Sequence, residues 1–414
     1  MAYTAHLTNA SGTGIVVTDA TTAIFTLGGY EQSGGANAQV NMPFRTGNGV
    51  FSYGGVYISQ NDIGSASFCT LRVDNVSVAL NISITANTTG LFVDEANSVS
   101  VNADSVVNWL ITATAVGGTH TITVKTIFCR FLAATNTYQR LISSKDSSSG
   151  NQYGSVTTNF IGLGSYLYFG GLVEANAAYK YRTDGTMQKL DVHVSANTRD
   201  SATVIKSRKN AADGTLTVSI TASTTGLFSD TSNTDTITSG DTYCFQIAGA
   251  VGTGTGTFSF VSSEFLTTNK KSEMYSVYPP TDFPSAASQT SYFALTSGHN
   301  FAVAETQFHY KAGFPTTVTN LKIYCSANAM TTNGTFDFRV ATASTSLTIS
   351  VTALTTGLFE DTTHSVSLAV GDLCNYRFVS GATGGATIEQ FGCLFLDATS
   401  SGTTFPGYIG GGYF

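Results

Sequence analysis

Two aspartates recur at similar spacing in three parts of the sequence, and they are the groups best suited to chemistry. The pairs are Asp94 with Asp104, Asp230 with Asp241, and Asp361 with Asp372. Paired carboxylates can ligate Ca²⁺ through loop oxygens, or act as the two acids of a glycosidase when a cleft holds them about 5 to 9.5 Å apart. Neither position belongs to a dense Asp-x-Asp run, and a glycosidase site in triplicate would be unusual. We therefore favour carboxylates that cap turns, with no metal and no cofactor.

One cation and one amide also recur at aligned positions. The cations are Arg72, Arg208 and Arg339. Each either pairs with an aspartate of the repeat across a strand or domain boundary, or is a solvated strand residue; the sequence favours neither. The amides are Asn61, Asn197 and Asn328, which stand at strand ends and are expected to form turns.

Histidine and cysteine show no catalytic or metal-binding pattern. No two of the six histidines share an aligned position, which argues against a site repeated in each domain. The sequence contains no H-E-x-x-H helix, G-x-S-x-G elbow or P-loop. The six cysteines lie far apart without a C-x-x-C pair, so we expect free, mostly buried thiols. We expect no enzyme.

A motif, TTGLFxD, occurs three times and organises the chain. It spans 88–94, 224–230 and 355–361, with its glycine and phenylalanine at Gly90, Phe92, Gly226, Phe228, Gly357 and Phe359. The recurring asparagine lies 29 residues before each glycine, and the periods are 136 and 131 residues. A period this long is a whole domain. We predict three homologous domains at 1–134, 135–268 and 269–398, followed by a Gly-rich tail at 399–414.

Between the copies the match is looser and aromatic residues are common. Phe44-Arg45, Tyr181-Arg182 and Tyr310-Lys311 form a weaker fourth correspondence. Several tyrosines could offer exposed rings for sugar or protein contacts, namely Tyr166, Tyr168, Tyr179, Tyr181, Tyr408 and Tyr413. Edge strands of the fold are the interpretation that we favour.

Within each copy, apolar and polar residues alternate along short segments. LDVHVSA, TLTVSITA and TFSFVSSEF in the second copy are examples. Period-two alternation predicts half-buried strands, and turn-forming clusters every 8 to 12 residues or so predict an antiparallel sandwich. The single tryptophan, Trp109, excludes the Cys, Trp, Cys signature of immunoglobulin domains. We predict an all-β chain of three tandem, jelly-roll-like β-sandwich domains.

Composition narrows the function classes. Of 414 residues only 11% are charged, against about 25% in an average soluble domain, and the net charge is −7. Basic residues cluster only at 206–209 and 270–271, which disfavours nucleic-acid binding. The first twenty residues lack a basic stretch followed by an apolar one, and no window approaches about 18 apolar residues. We therefore expect neither export by a standard signal nor membrane insertion.

TTGLFxD followed by Gly-Asp about ten residues later, in a tandem β chain rich in Thr, Gly and Asn, resembles the jelly-roll modules of tailed-bacteriophage virion proteins. Such modules occur in head decoration proteins, head fibres and tail fibres, and are similar to the trimeric jelly rolls of the tumour necrosis factor and C1q type. The resemblance implies a non-enzymatic structural role on the virion, with other capsid or tail proteins as partners. Three fused copies of a trimerising module suggest an intramolecular pseudo-trimer.

Two other function classes stay open at this point. A carbohydrate-binding adhesin or receptor-binding fibre protein, with a host-surface glycan as partner, would show stacked, exposed aromatic rings on one domain face. An enzyme would show a deep pocket with clustered acids in one domain only.

Overall fold

The computed structural model describes residues 3–18, 20–26, 31–33, 48–102, 105–114, 116–117, 120–133, 138–144, 152–154, 158–164, 173–267, 271–277, 286–295, 304–312, 315–397 and 406–410. In these ranges β-strand is by far the dominant secondary structure. For the account below, copies 1, 2 and 3 are the three predicted domains.

Copy 1 forms two antiparallel sheets. Its strands are β1 (Tyr3–Thr18), β2 (Thr22–Thr26), β3 (Glu31–Ser33), β4 (Gly49–Asn61), β5 (Ser67–Val73), β6 (Val76–Ile84), β7 (Gly90–Val101), β8 (Val107–Thr112) and β9 (Thr121–Ala133). One sheet, here called the inner sheet, has the order β1-β9-β4-β7. The other, the outer sheet, has the order β3-β2-β8-β5-β6.

Copy 2 repeats this arrangement with one short helix added. Its elements are β10 (Tyr138–Ser144), β11 (Gln152–Tyr153), β12 (Thr158–Ile161), α1 (Glu174–Ala177), β13 (Tyr179–Lys180), β14 (Gly185–Asn197), β15 (Thr203–Lys209), β16 (Ala212–Ile220), β17 (Gly226–Ile237), β18 (Thr242–Gly249) and β19 (Gly256–Thr267). The inner sheet is β10-β19-β14-β17 and the outer sheet is β12-β18-β15-β16, with β13 paired to β18.

Copy 3 has the same order again, and a last strand follows it. Its elements are β20 (Lys271–Val277), β21 (Thr290–Phe293), a 3₁₀ turn (Glu305–Phe308), β22 (Tyr310–Lys311), β23 (Thr316–Asn328), β24 (Gly334–Val340), β25 (Ala343–Val351), β26 (Gly357–Leu368), β27 (Leu373–Val379) and β28 (Ala386–Asp397); the last strand is β29 (Pro406–Gly410). The inner sheet is β20-β28-β23-β26 and the outer sheet is β21-β27-β24-β25, with β22 paired to β27.

Numbered from one to eight within copy 3, the main strands run 1-8-3-6 in the inner sheet and 2-7-4-5 in the outer sheet. This is the eight-stranded, two-sheet order of a jelly roll. The prediction of an all-β chain built from tandem antiparallel jelly rolls is confirmed. The only helical elements in the described ranges are single turns.

Alternation places the core between the two sheets of each copy. Strands β6, β16 and β25 share one burial pattern, in which only every second residue of the second half points inward. The inward residues are Leu80, Ile82, Ile84, Leu216, Val218, Ile220, Leu347, Ile349 and Val351. Aliphatic side chains at every second position therefore fill the space between the sheets, while hydroxyl and amide side chains face solvent.

The strand β29 connects two copies. It pairs in parallel with β1 on one side and with β10 on the other, so it joins the inner sheets of copies 1 and 2 into one continuous sheet. The Gly-rich segment predicted as a tail thus contains a strand at 406–410; the rest of that segment lies outside the described residues.

The looser fourth correspondence was wrong by two residues in copy 2. Tyr179-Lys180, not Tyr181-Arg182, forms the short strand that pairs with β18, and Tyr310-Lys311 takes the same place against β27. The shift equals one strand repeat, so both alignments keep a tyrosine on the same face. Phe44-Arg45 of copy 1 lies outside the described residues.

Candidate functional site

The recurring asparagines tie the end of one strand to the TTGLFxD turn. In copy 2, Asn197 Nδ2 donates to the carbonyl oxygens of Thr221 and Thr224 at 3.1 and 2.9 Å. Its Oδ1 accepts the backbone N–H of Arg199 at 3.0 Å. Asn61 and Asn328 make the same three hydrogen bonds at the equivalent residues. An amide is needed here because it both donates and accepts.

The glycine of each motif begins a strand with a left-handed backbone. Gly90, Gly226 and Gly357 have φ values of +114°, +111° and +113°. This conformation strains any residue with a Cβ. Two residues further on, the partly buried rings of Phe92, Phe228 and Phe359 pack against the hydrophobic cores.

The first aspartate of each predicted pair caps backbone amides. Asp230 accepts the N–H of Thr217 at 2.9 Å from the neighbouring strand, and those of Ser232 and Asn233 at 3.1 Å from its own turn. Burial alone would raise the pKa of Asp230, but these hydrogen bonds outweigh it and hold the pKa below its ordinary value. Asp94 and Asp361 are bonded in the same way and their pKa values are also lowered.

The second aspartate of each pair caps a different turn. Asp241 accepts the N–H of Thr238 at 2.8 Å, and Asp372 accepts that of Ala369 at 2.7 Å. Asp104 lies outside the described residues. In copies 2 and 3 the two aspartates accept hydrogen bonds from different residues, so each carboxylate caps its own turn. Over the described ranges, no group of three or more His, Cys, Asp or Glu side chains could hold a metal ion.

Two of the three aligned arginines bind glutamates that no recurring motif of the sequence marks. Arg208 forms a bidentate ion pair with Glu174 at 2.9 and 3.0 Å, and Arg339 forms the same pair with Glu305 at 2.6 and 3.1 Å. Glu174 opens α1 and Glu305 opens the 3₁₀ turn, so each ion pair fastens a connecting segment to the outer sheet of its own copy. Arg72 donates to the backbone carbonyl of Asn75.

The cysteines are buried, and His193 and His309 are partly buried. All six cysteines are free and buried. Burial raises the pKa of Cys325 to about 12, and lowers the pKa values of His193 and His309. Thiols in such surroundings are inert structural groups.

Contacts between copies are the more informative feature. The inner-sheet strands β9, β19 and β28 each contain eight consecutive buried residues, at 122–129, 258–265 and 388–395. A strand that packs against one layer buries only alternate residues. These strands therefore have a neighbour on both faces: the outer sheet of their own copy on one side and other copies on the other.

Aromatic rings fill the boundary between copies 2 and 3. The ring of Tyr179 stacks on that of Tyr275, with 3.6 Å between centroids, and the Tyr181 hydroxyl lies 2.8 Å from the Tyr275 hydroxyl. All three side chains are at most 1% exposed. Tyr179 and Tyr181 are therefore interface residues, and their rings are not available as exposed contacts for sugar.

A buried ion pair lies beside these rings. Lys322 Nζ stands 3.3 Å from Glu273 Oε2, and Glu273 also accepts the Tyr179 hydroxyl at 3.0 Å. Lys322 donates to the carbonyl of Lys180 at 2.6 Å and lies 4.0 Å from the centroid of the Tyr179 ring. Burial lowers the pKa of Lys322, and the Glu273 carboxylate offsets this only in part. Arg182 and Glu360 form a second ion pair across the same boundary.

Copies 3 and 1 meet through the equivalent segment. The ring of Tyr310 contacts that of Phe128 edge to face at 6.1 Å, and Lys311 Nζ bonds Glu95 at 2.8 Å. Lys311 also lies 5.7 Å from the centroid of the Tyr53 ring.

Copies 1 and 2 meet through Phe260, which is fully buried and belongs to the hydrophobic core of copy 1, and through β29. Each copy thus contacts both others. The segment that ends at Lys180 packs on copy 3, and the equivalent segment that ends at Lys311 packs on copy 1. A rotation that relates copy 2 to copy 3 and copy 3 to copy 1 would place the two segments in this way.

One equivalent position shows how the copies differ at these contacts. It holds Gly55, Asp191 and Lys322, and the residues opposite on the next strand are Phe128, Ser262 and Gly392, respectively. A Cβ on Gly55 would come within 2.2 Å of the Phe128 ring, and one on Gly392 within 2.5 Å of a backbone oxygen. In copies 1 and 3 a large side chain on one strand therefore faces a glycine on the other, whereas copy 2 has Asp191 opposite Ser262.

A groove of about 510 Å³ opens between copies 2 and 3. Copy 2 contributes Ala175, Ala178 and Lys180 to its wall, and copy 3 contributes Tyr324 and Leu358.

Among the described residues, no helix has the length and apolar character needed to cross a bilayer.

No protein-family model matches the chain, and no curated protein matches it. Several solved structures are similar to it, and two of them are named here. One concerns the triple jelly roll fold and turret assembly in an archaeal virus; it covers 94% of this chain and 90% of that chain at 12% identity, with a TM-score of 0.18. The other is dimeric latent PorU from Porphyromonas gingivalis, covering 94% of this chain and 33% of that chain at 8% identity, with a TM-score of 0.22. At such TM-scores neither carries an argument about function. The topology described above is what identifies the chain as an all-β protein of tandem jelly rolls.

Proposed function

We propose that the chain is a non-enzymatic structural component of a virion of the tailed-phage type, exposed on the particle and acting through protein contacts. The observation that carries this proposal is the burial of both faces of the inner-sheet strands at 122–129, 258–265 and 388–395. Three jelly rolls in one chain pack against one another as an intramolecular pseudo-trimer, a rigid unit suited to a fixed place on a particle.

Fusion has a physical advantage for such a part. The association of three separate subunits depends on their concentration, whereas three copies in one chain stay together at any dilution. Within the described ranges, many strands rich in hydroxyl side chains are joined by tight turns, which offer proteases little exposed loop. Both properties suit a protein that must persist outside the cell.

The placement of the chemically capable residues supports a role without catalysis. The described aspartates of the repeat cap turns, the aligned arginines of copies 2 and 3 fasten segments, and the thiols are buried. Because Tyr179 and Tyr181 are buried, two of the rings that a glycan-binding protein could expose are not accessible, while Tyr166 and Tyr168 lie outside the described residues.

The first test is the genomic neighbourhood, where genes for capsid, portal and terminase proteins are expected. The second is electron microscopy of the encoding virus with and without the gene. We expect extra density on wild-type particles that the deletion removes, on the head for a decoration protein or on the tail for a fibre. Purified particles that lack the chain by mass spectrometry would overturn the proposal, and binding of the pure protein to a glycan array would favour the adhesin alternative.

A further inference from the structure

The groove between copies 2 and 3 has the size and lining of a small-molecule site. Its volume of about 510 Å³ falls within the range of about 300 to 1,000 Å³ typical of ligand pockets. Side chains of Ala175, Ala178, Tyr324 and Leu358 give it a mainly apolar wall, and Gln390 adds a polar group. Such a wall suits an aromatic or aliphatic body.

Two charged side chains line the groove, Glu174 and Lys180, and only Glu174 has an ion-pair partner in the part of the chain that the structure describes. The Glu389 carboxylate is buried beside α1, where it accepts from Asn176 at 3.3 Å, and does not line the groove. The Glu174 carboxylate is held at both oxygens by Arg208. Lys322 pairs with Glu273, and Arg182 pairs with Glu360. Lys180, which lines the groove, has no carboxylate within ion-pair distance among the residues that the structure describes. One positive charge therefore remains at the edge of an apolar cavity.

The equivalent lysine in copy 3, Lys311, has an acidic partner that Lys180 lacks among the described residues. Lys311 occupies the place of Lys180, as the pairing of β22 and β13 with their neighbours shows, and Glu95 of copy 1 neutralises it at 2.8 Å. Glu95 directly follows Asp94, and the residue that follows Asp361 in copy 3 is the exposed Thr362. The boundary between copies 2 and 3 thus keeps the lysine but replaces its acidic partner with a neutral residue.

We propose that this groove binds a small organic anion, with its apolar body against Tyr324 and Leu358 and its carboxylate on the Lys180 ammonium. An ion pair beside an apolar wall is stronger than one in open solvent, because water screens it less. Between copies 3 and 1, Glu95 already supplies the corresponding anion to Lys311. The equivalent segment of copy 1 lies outside the described residues.

The test is isothermal titration calorimetry of the full chain at low salt with 1-naphthaleneacetate, and with its neutral amide as the matched probe. We expect saturable binding of one anion per chain, about fivefold tighter than the amide, the upper end for one partly exposed ion pair. Lys180→Met and Thr362→Glu are both expected to reduce binding of the anion to that of the amide. Thr362→Glu rebuilds the arrangement of Glu95 at an exposed position, so it keeps the test valid should Lys180→Met fail to fold.

Lys311→Met is the matched control and is expected to leave binding of the anion unchanged. The proposal is overturned if the wild-type chain shows no saturable binding, if the amide binds as tightly as the anion, or if Thr362→Glu binds the anion as the wild type does.

Discussion

Tyr179 of copy 2 and Tyr275 of copy 3 stack face to face, with ring centroids 3.6 Å apart and an angle of 12° between their planes. Both rings are almost fully buried. A stacked, dry aromatic pair is typical of a protein core. The boundary between these copies is therefore packed like the interior of a domain, and the two copies form one hydrophobic cluster.

Replacing Tyr275 with alanine is expected to destabilise the whole chain. Removing a buried aromatic ring leaves a cavity and costs about 3 to 5 kcal/mol, which denaturant unfolding measures. Val251→Ala is the control, because Val251 is 82% exposed and such a change costs no more than about 0.5 kcal/mol. Equal effects of the two changes would mean that the copies do not depend on this contact.

Lys322→Met is expected to cost about 3 to 5 kcal/mol, because it leaves the Glu273 carboxylate buried without its cation. Adding Glu273→Gln to the same chain should recover much of that loss. The free energies of unfolding of the two single variants and the double variant form a double-mutant cycle. Simple additivity of the two losses would contradict a direct interaction between these side chains.

Asp230→Asn is expected to show a pH-dependent loss of stability. The folded-state pKa of Asp230 is lowered, so its stabilisation is fully present above the unfolded pKa of about 3.9 and is lost as pH falls through the folded pKa. The substitution should cost about 1.5 to 3 kcal/mol at pH 7 and progressively less in acid. Denaturation of both proteins at several pH values checks this, and a difference independent of pH would refute it. Asp94→Asn should behave in the same way, because its hydrogen bonds are equivalent.

Gly55→Ala and Gly64→Ala form a matched pair. A Cβ on Gly55 would come within 2.2 Å of the Phe128 ring, whereas one on Gly64 meets nothing within 4 Å. Overpacking of this kind costs about 1 to 3 kcal/mol, so we expect a loss at Gly55 and none at Gly64. Thermal unfolding separates the two, and similar melting temperatures would show that Phe128 moves aside without cost.

The repeated local geometry could be predicted because the same residues recur in each copy and form the same turn. TTGLFxD marks the same turn three times, with its glycine in the left-handed region. Alternating segments such as the one that ends at Ile220 became half-buried strands of a sandwich. Local backbone chemistry and period-two burial act over a few residues, so one sequence is sufficient to reveal them.

The contacts between copies could not be predicted in the same way. Tyr179, Glu273 and Lys322 are far apart in sequence and do not recur as a set, so a search for shared residues passes over them. The recurring Arg208 stays within its own copy, bonded to Glu174. One signal in the sequence could have pointed to these contacts. Lys322 and Glu273 are charged residues within strands, in a chain that has few charged residues.

The single position shared by Gly55, Asp191 and Lys322 has a consequence for stoichiometry. In a trimer of identical chains, every change at an interface appears three times, and any site between subunits comes in threes. Here each boundary between copies has its own residues, so a mutation can change one boundary without changing the other two. A partner that recognises one boundary would bind once per chain and in one orientation. A chain of three similar domains could therefore attach to an assembly at a position that has no threefold symmetry axis.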